Sequence, residues 1–493
     1  MSNRIKTIVK GSAWTTASTV ITSIVQLMRL AILTRFLDVS AFGLIAILTL
    51  ILGLTNTFAD LGFSAAIMHK KGLTRREFSS LYWIQFSIYT IIYFVIWGLA
   101  IPISSFYNEP QLSGLIPLIM LDLLFYGIGK LYDTLLLKKL QYKILAVRNI
   151  ICCFISLAVA VWSAYYGWGI YSLIFSTLSQ TLIVNMWNFI AGQKYISISF
   201  SYDVKSNFYL IKIGLYQTGA QIMDYLSSKL DILILGKVFG ADELGLYSLA
   251  KELILKVYNL TNGILNKVLL PIFAQIQEDI KKSQFYYCKL LESTSIVNYF
   301  GYMILGAFAP QFVLLIYGES YMAIVPLLVI FSFWGLFTSV GNPIGNIVVA
   351  FGRTDLSFWY TIIRILISGI VIWYASKFGL EPMAISQVLL AALLLQVTYR
   401  MILKPVIKIQ WKRWVGAFGP MLVLTSGLIA IGFYLNTTCD LGSKWAKLVI
   451  LVLILIGTYF CFAFKFYWTL MEELIFPLFG KLLHRAYSSK RKS

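Results

Sequence analysis

Roughly fourteen apolar segments follow one another along this chain, each long enough to cross about 30 Å of hydrocarbon. They lie at 11–35, 43–65, 81–103, 112–130, 149–166, 170–191, 211–236, 244–270, 291–316, 324–350, 359–376, 383–403, 415–435 and 445–467. Inside a bilayer every backbone N–H and C=O must find its partner within the protein, which leaves only helices and closed barrels. Barrel strands would alternate in polarity over about ten residues, whereas these runs are apolar throughout. The expected fold is therefore an all-α polytopic membrane protein of about fourteen transmembrane helices. Charge density agrees, at 13% of residues against about 25% in a soluble domain.

A net charge of +20 would point to nucleic acid in a soluble chain. Here its placement matters more than its size. The basic start Arg4, Lys6 and Lys10 leads straight into an apolar stretch. At about 25 residues that stretch exceeds the roughly 7–15 of a signal peptide's apolar h-region, and it reads as a retained first span. With the N-terminus placed in the cytoplasm, the outer loops carry only Lys237, Lys377, Lys444 and Lys447. Arg29, Arg35, Lys229, Lys251, Lys256 and Arg364 fall within spans or at their outer ends. The rest of the 41 basic residues, including Lys70, Lys71, Arg75, Arg76 and the tail Lys490 to Lys492, gather on the inner side. That asymmetry predicts an even number of spans with both termini cytoplasmic. Outer loops such as 37–42 and 317–323 are too short to hold a soluble domain. Any chemistry must take place within the membrane.

The five cysteines show no paired or metal-ligand spacing, and the two histidines, His69 and His484, sit beside basic residues in loops. No metal, cofactor or catalytic residue is expected. Nucleic acid is not an expected partner.

Polar residues inside the apolar runs carry the functional signal. Gln217, Gln221, Asp224, Ser228 and Asp231 in one span, and Ser248, Glu252, Lys256, Asn259, Gly263 and Asn266 in the next, recur at steps of three and four. Each set forms one stripe of a helix. Lipid cannot solvate such a stripe, so it must face protein or a water-filled cavity. A shift of 202 residues lays Arg35–Leu44 on Lys237–Leu246, and Thr15, Thr19, Thr22, Gln26 and Arg29 on the first stripe. Thr49, Gly53, Asn56 and Asp60 of the second span match the second stripe after one further residue of shift. This internal repeat predicts two parallel six-helix lobes, pseudo-symmetric about an axis along the membrane normal. The lobes would occupy 1–200 and 201–410, with two extra helices and a basic cytoplasmic tail in 411–493.

Several stretches, taken in order, resemble a known family. They are RFLDVSAFGLIAI (35–47), DLGFSAAIMHKKGLTRREFSSLYWIQ (60–85), GWGIYSLIF (167–175), DILILGKVFGADELGLYSLA (231–250), LLPIFAQIQED (269–279) and FGRTDLSFWY (351–360). Together they are similar to the polysaccharide transporter family, the Wzx-type flippases of the MOP superfamily, and most of all to its colanic-acid-exporter-like branch. The resemblance implies two six-helix lobes around a central cavity, in the bacterial inner membrane. It also implies a task, moving an undecaprenyl-pyrophosphate-linked oligosaccharide to the outer leaflet. Implied partners are that lipid-linked oligosaccharide, membrane lipids, and polysaccharide polymerase and export machinery.

A pyrophosphate needs cations held away from lipid, which makes Arg29, Lys229, Lys251, Lys256 and Arg364 candidates for substrate contact, with Gln26, Gln217, Gln221 and Asn259 beside them. Asp224, Asp231, Glu252 and Asp60 are candidates for coupling or gating. The plainer alternative is internal pairing. Glu252 and Lys256 stand at i, i+4, the favourable order for a helical ion pair, and Arg29 and Asp231 could pair as repeat equivalents. Asp60 could cap a helix or pair with Lys70 or Lys71. Asp122 has no stripe and no assigned role. Tyr216, Tyr225 and Tyr258, near the stripes, are weaker candidates for stacking on sugar. Two other functions compete. A multidrug or cation antiporter of the same superfamily would favour an acidic lumen. A membrane-embedded polysaccharide polymerase or ligase would need a large outer loop.

Overall fold

The computed structural model describes residues 3–70, 72, 74–200, 204–438 and 445–467. Helices α1 to α9 run Asn3–Leu33, Val39–Asp60, Phe63–His69, Arg75–Gly98, Ala100–Tyr107, Leu112–Lys138, Tyr142–Tyr165, Tyr171–Gln193 and Val204–Ile276. Helices α10 to α18 run Ile280–Ala307, Ala309–Ile316, Val325–Val340, Asn342–Ala350, Thr354–Ala375, Leu380–Thr398, Lys404–Ile407, Trp411–Thr438 and Trp445–Phe466. No strand occurs among the described residues, so this is an all-helical, multi-pass membrane protein. Eleven helices, or twelve if α10 and α11 form one span bent by 82°, are long and apolar enough to cross a bilayer. The expected seventh and eighth spans both fall within α9, which breaks at Gly240 (φ 77°, ψ −171°). Only glycine tolerates that backbone region. The count of about fourteen therefore remains an expectation.

Several span boundaries differ from the sequence reading. The ninth span, expected at 291–316, begins at Ile280 and bends after Ala307. Helix α4 likewise begins at Arg75, before the expected 81. Both starts are set by polar caps that hydropathy does not see. Asp279 accepts from the Lys282 amide at 3.0 Å, and that bond, with the Lys282 ammonium, holds its carboxyl below the usual range. At α4 the Thr74 hydroxyl and the Glu77 carboxylate cap each other's amides reciprocally.

The chain condenses into two compact units, neither of them a continuous piece of sequence. The first comprises the described residues within Met1–Leu249, Leu314–Ile324 and Thr361–Met383. The second comprises those within Ala250–Val313, Val325–Tyr360 and Ala384–Ser493. In the first unit α6 is the central post, packed against α8, α4 and α2. Its apolar core includes Phe63, Ile67, Phe78, Leu81, Leu131 and Leu135. Small residues let the helices approach: a Cβ on Gly129 would strike the Asn185 carbonyl, and one on Gly192 would strike the Tyr132 ring. In the second unit α10 packs on α17 and α12. Trp414 donates to the Tyr287 hydroxyl (3.3 Å), and the amides of Gln311 and Asn436 pair reciprocally at 2.6 and 2.7 Å. Helix α17, outside the sequence repeat, is thus built into a core.

Candidate functional site

The polar face of α9 is only partly open. Gln221, Asp224 and Ser228 are exposed, whereas Asp231 is 3% exposed and accepts from the Tyr247 hydroxyl at 2.6 Å. Asp231 is closed to solvent in this arrangement, because the helix following the Gly240 break folds its tyrosine over it. The side chains of Gln217, Gly263 and Asn266 lie outside the described residues. Further along, Asn259 is exposed and Ser248 half-buried. Lys256 Nζ lies 3.3 Å from Glu252 Oε1, so these two form the expected i, i+4 pair. Lys251 stands over the Trp334 ring, 5.0 Å from its centroid. Lys229 is half-buried on α9.

One contact unites two candidates that the sequence left apart. The Arg364 guanidinium, on α14, donates through Nη2 to Asp224 Oδ1 (3.0 Å) and through Nε to Ser227 Oγ (2.6 Å). The Asp224 side chain is nonetheless 72% exposed and that of Arg364 28%. Arg29 donates to Ser156 on α7 at 3.4 Å, and Gln26 is half-buried one turn before it on α1. Asp60, read from the sequence as a cap or a partner of Lys70 or Lys71, accepts instead from Ser64 (2.7 Å) and Gln85 (3.3 Å). Lys70 turns to Glu77 at 2.7 Å, and Lys71 lies outside the described residues. Tyr225, a weak candidate for sugar stacking, is occupied by architecture. Its ring lies over Gly53, and its hydroxyl donates to the carbonyls of Thr49 and Leu50.

Within the first unit, one end of the helices is closed by contacts between segments far apart in sequence. A Cβ on Gly43 would collide with the Ala241 carbonyl, and one on Gly245 with the Val39 carbonyl. These residues exchange under the 202-residue shift, Gly43 with Gly245 and Val39 with Ala241. The crossing is reciprocal, as a two-fold relation between repeats requires. Charges around it match helix polarity. Glu109 accepts from the Ala241 amide (2.9 Å), where a helix begins, and Arg35 donates to the Leu314 and Leu315 carbonyls (3.2 and 3.1 Å), where α11 ends. Thr34 donates to Ile316 O, Tyr321 to Leu37 O and Tyr317 to Leu249 O.

Two polar groups in the first unit were missed or misread from the sequence. Arg148, counted there among the inner-side basic residues, is 6% exposed and bonds Asp133, Asn149 and Asn188, joining α6, α7 and α8. Asn188 inside an apolar run was the available signal. Asp122, left without a role, proves to be buried. A cleft of about 410 Å³ between α6, α7 and α8 is lined by Phe125, Trp162, Trp168, Leu178 and similar residues. Its chemistry suits hydrocarbon rather than a polar solute.

Comparison with known proteins gives a consistent result. The sequence profile of a family described as polysaccharide biosynthesis protein matches residues 32–326. Amylovoran biosynthesis protein AmsL of Erwinia amylovora is 29% identical over 385 residues, 76% of this chain and 97% of AmsL. Lipopolysaccharide biosynthesis protein WzxC of Escherichia coli K12 is 28% identical over 422 residues, 84% of either chain. Among solved structures, lipid II flippase MurJ in an inward closed conformation aligns with a TM-score of 0.71 at 15% identity, covering 92% of this chain and 99% of MurJ. An inward-facing multidrug resistance MATE family transporter of the MOP superfamily aligns at 0.57 and 14% identity, covering 83% and 95%. At these identities the two structures speak for the fold alone.

Proposed function

The chain belongs to the polysaccharide biosynthesis protein family, and from that premise we propose that it is a flippase for a lipid-linked oligosaccharide, working by alternating access in the bacterial inner membrane. The observation that carries this reading is the open Asp224–Arg364 pair. Charged groups at the centre of a bilayer cost several kcal/mol, about 2.5–3.5 each on insertion scales. An ion pair left accessible on apolar helices must therefore meet water, not acyl chains. Gln221 and Ser228 share that exposed face. The basic fork of Arg364 suits a phosphate oxygen pair, with Asp224 holding it in place until a head group displaces the carboxylate. Arg29, Lys229, Lys251 and Lys256 remain further candidates for the same anion. Asp60, Asp224 and Glu252 remain the coupling candidates.

The two lobes of this reading are 1–200 and 201–410, with 411–493 added outside the repeat. Support comes from the reciprocal Gly43–Ala241 and Gly245–Val39 crossing, whose residues correspond under the 202-residue shift. Lysine and arginine placement argues for cytoplasmic termini. In that orientation the crossing is the outer gate, closed, and the polar face opens inward. The oligosaccharide would enter from the cytoplasm while its polyprenyl tail stays in lipid. Surface-polysaccharide polymerase and export machinery would receive the product. The chain's likeness to a flippase and to a MATE transporter supports reading it as a transporter rather than an enzyme.

The direct test is depletion in cells. The expected result is lipid-linked oligosaccharide accumulating in the inner leaflet while surface glycan disappears. Glycan that continues to reach the surface, with no trapped intermediate, would overturn the proposal.

A further inference from the structure

Asp122 lies near the middle of α6 with 5% of its surface exposed. The side chains of Asn56 of α2 and Thr181 of α8 stand beside its carboxyl. Oδ1 of Asp122 and Oδ1 of Asn56 are both buried and have no donor. A buried carboxylate needs a counter-charge, because its hydration cannot be replaced by apolar side chains. Among the described residues no charged neighbour acts on it. Lys130, two turns along α6, is held by Tyr126, Asp60 and Asp133. Tyr89 of α4 feels Tyr126, Asp60 and Asp122 together, and none of these is a cation. The Tyr89 hydroxyl itself is buried without a partner.

We propose that Asp122, Asn56 and Thr181 form a binding site for a small monovalent cation, Na⁺ or a proton, held between α2, α6 and α8. The donor set is oxygen only, which suits a hard cation. One positive charge neutralises the single carboxylate, whereas a divalent ion would leave a net charge buried. The site joins three helices of the first unit, so its occupancy governs how tightly they pack. A role in coupling, beside Asp60, Asp224 and Glu252, rests on the flippase reading. The site's existence does not.

The experiment uses the purified full-length protein. Thermal unfolding is followed in a NaCl series, with choline chloride replacing it at constant ionic strength, and then across pH 5.5–8 without Na⁺. A Na⁺ site predicts an unfolding midpoint that rises with Na⁺ and saturates, with the rise lost in Asp122→Asn. A proton site predicts no Na⁺ effect, and a midpoint that falls with rising pH in the wild type but stays flat in Asp122→Asn. Thr181→Val and Asn56→Ala keep the carboxyl and shift the Na⁺ half-saturation, or the pH response, by roughly tenfold (one bond at about 1.4 kcal/mol). Equal responses to Na⁺ and pH in the wild type and Asp122→Asn overturn the site. Should that variant not be recovered, unchanged responses in the other two overturn it. No lipid-linked substrate enters the measurement, so its failure is separate from failure of the flippase reading.

Discussion

Arg364 shows what spacing alone could and could not say. Its position within an apolar run marked it as functional, and Asp224 was marked for the same reason. Their union across 140 residues follows from how α14 lies against α9, which no helical period encodes. Charged hydrogen bonds are worth about 1.5–3 kcal/mol each. Arg364→Ala is therefore expected to lower surface glycan roughly tenfold or more at unchanged protein level, and Arg364→Lys to recover only part, because lysine lacks the fork. Quantified cell-surface polysaccharide beside membrane immunoblots checks both. Asp231 behaves oppositely. Tyr247→Phe removes the 2.6 Å donor from its buried carboxylate and should cost about 1–3 kcal/mol of stability, read as a lowered unfolding midpoint in detergent. A midpoint equal to wild type would show that Asp231 has another donor of equal worth.

At the scale of elements, residues that correspond under the 202-residue shift meet in the crossing of α2 with the second part of α9. Gly43 and Gly245 are small because each meets the other's partner backbone. Their equivalence was visible in the aligned loops, but the contact was not, since a repeat says which residues correspond and not which ones touch. Gly43→Leu or Gly245→Leu should each hold this end apart and abolish surface glycan, with the protein still inserted. Normal glycan in both variants would remove the crossing from the transport cycle. Gly240→Ala asks a different question. Its backbone region is open to glycine alone, so the variant should lose about 1–3 kcal/mol, detectable as reduced thermal stability. The caps at Asp279 and Thr74 explain why hydropathy placed the starts of α10 and α4 too late.

Over the first unit as a whole, one end is closed by the Gly43–Ala241 and Gly245–Val39 crossing, and polar residues stand exposed elsewhere on α9. With the cytoplasmic orientation argued above, Ser228→Cys in a cysteine-free background should react with a membrane-impermeant maleimide applied from the cytoplasmic side. It should resist the same reagent from outside. Labelling from outside alone would reverse the assignment of the closed end. The amino-acid sequence by itself determined the helical, membrane-spanning class, the repeat and the set of charged residues in apolar surroundings. It could do so because hydrocarbon penalises every unsatisfied polar group, and that penalty leaves its trace residue by residue. Only the tertiary structure decided which of those charges stay open and which are tied down. Asp231 and Asp224 occupy the same stripe, yet a tyrosine arriving from beyond Gly240 buries one while the other stands clear, and Asp122, on no stripe, gains its meaning from three helices meeting around it. Pairing and burial are properties of the assembled neighbourhood, and a linear pattern holds no record of which neighbour arrives.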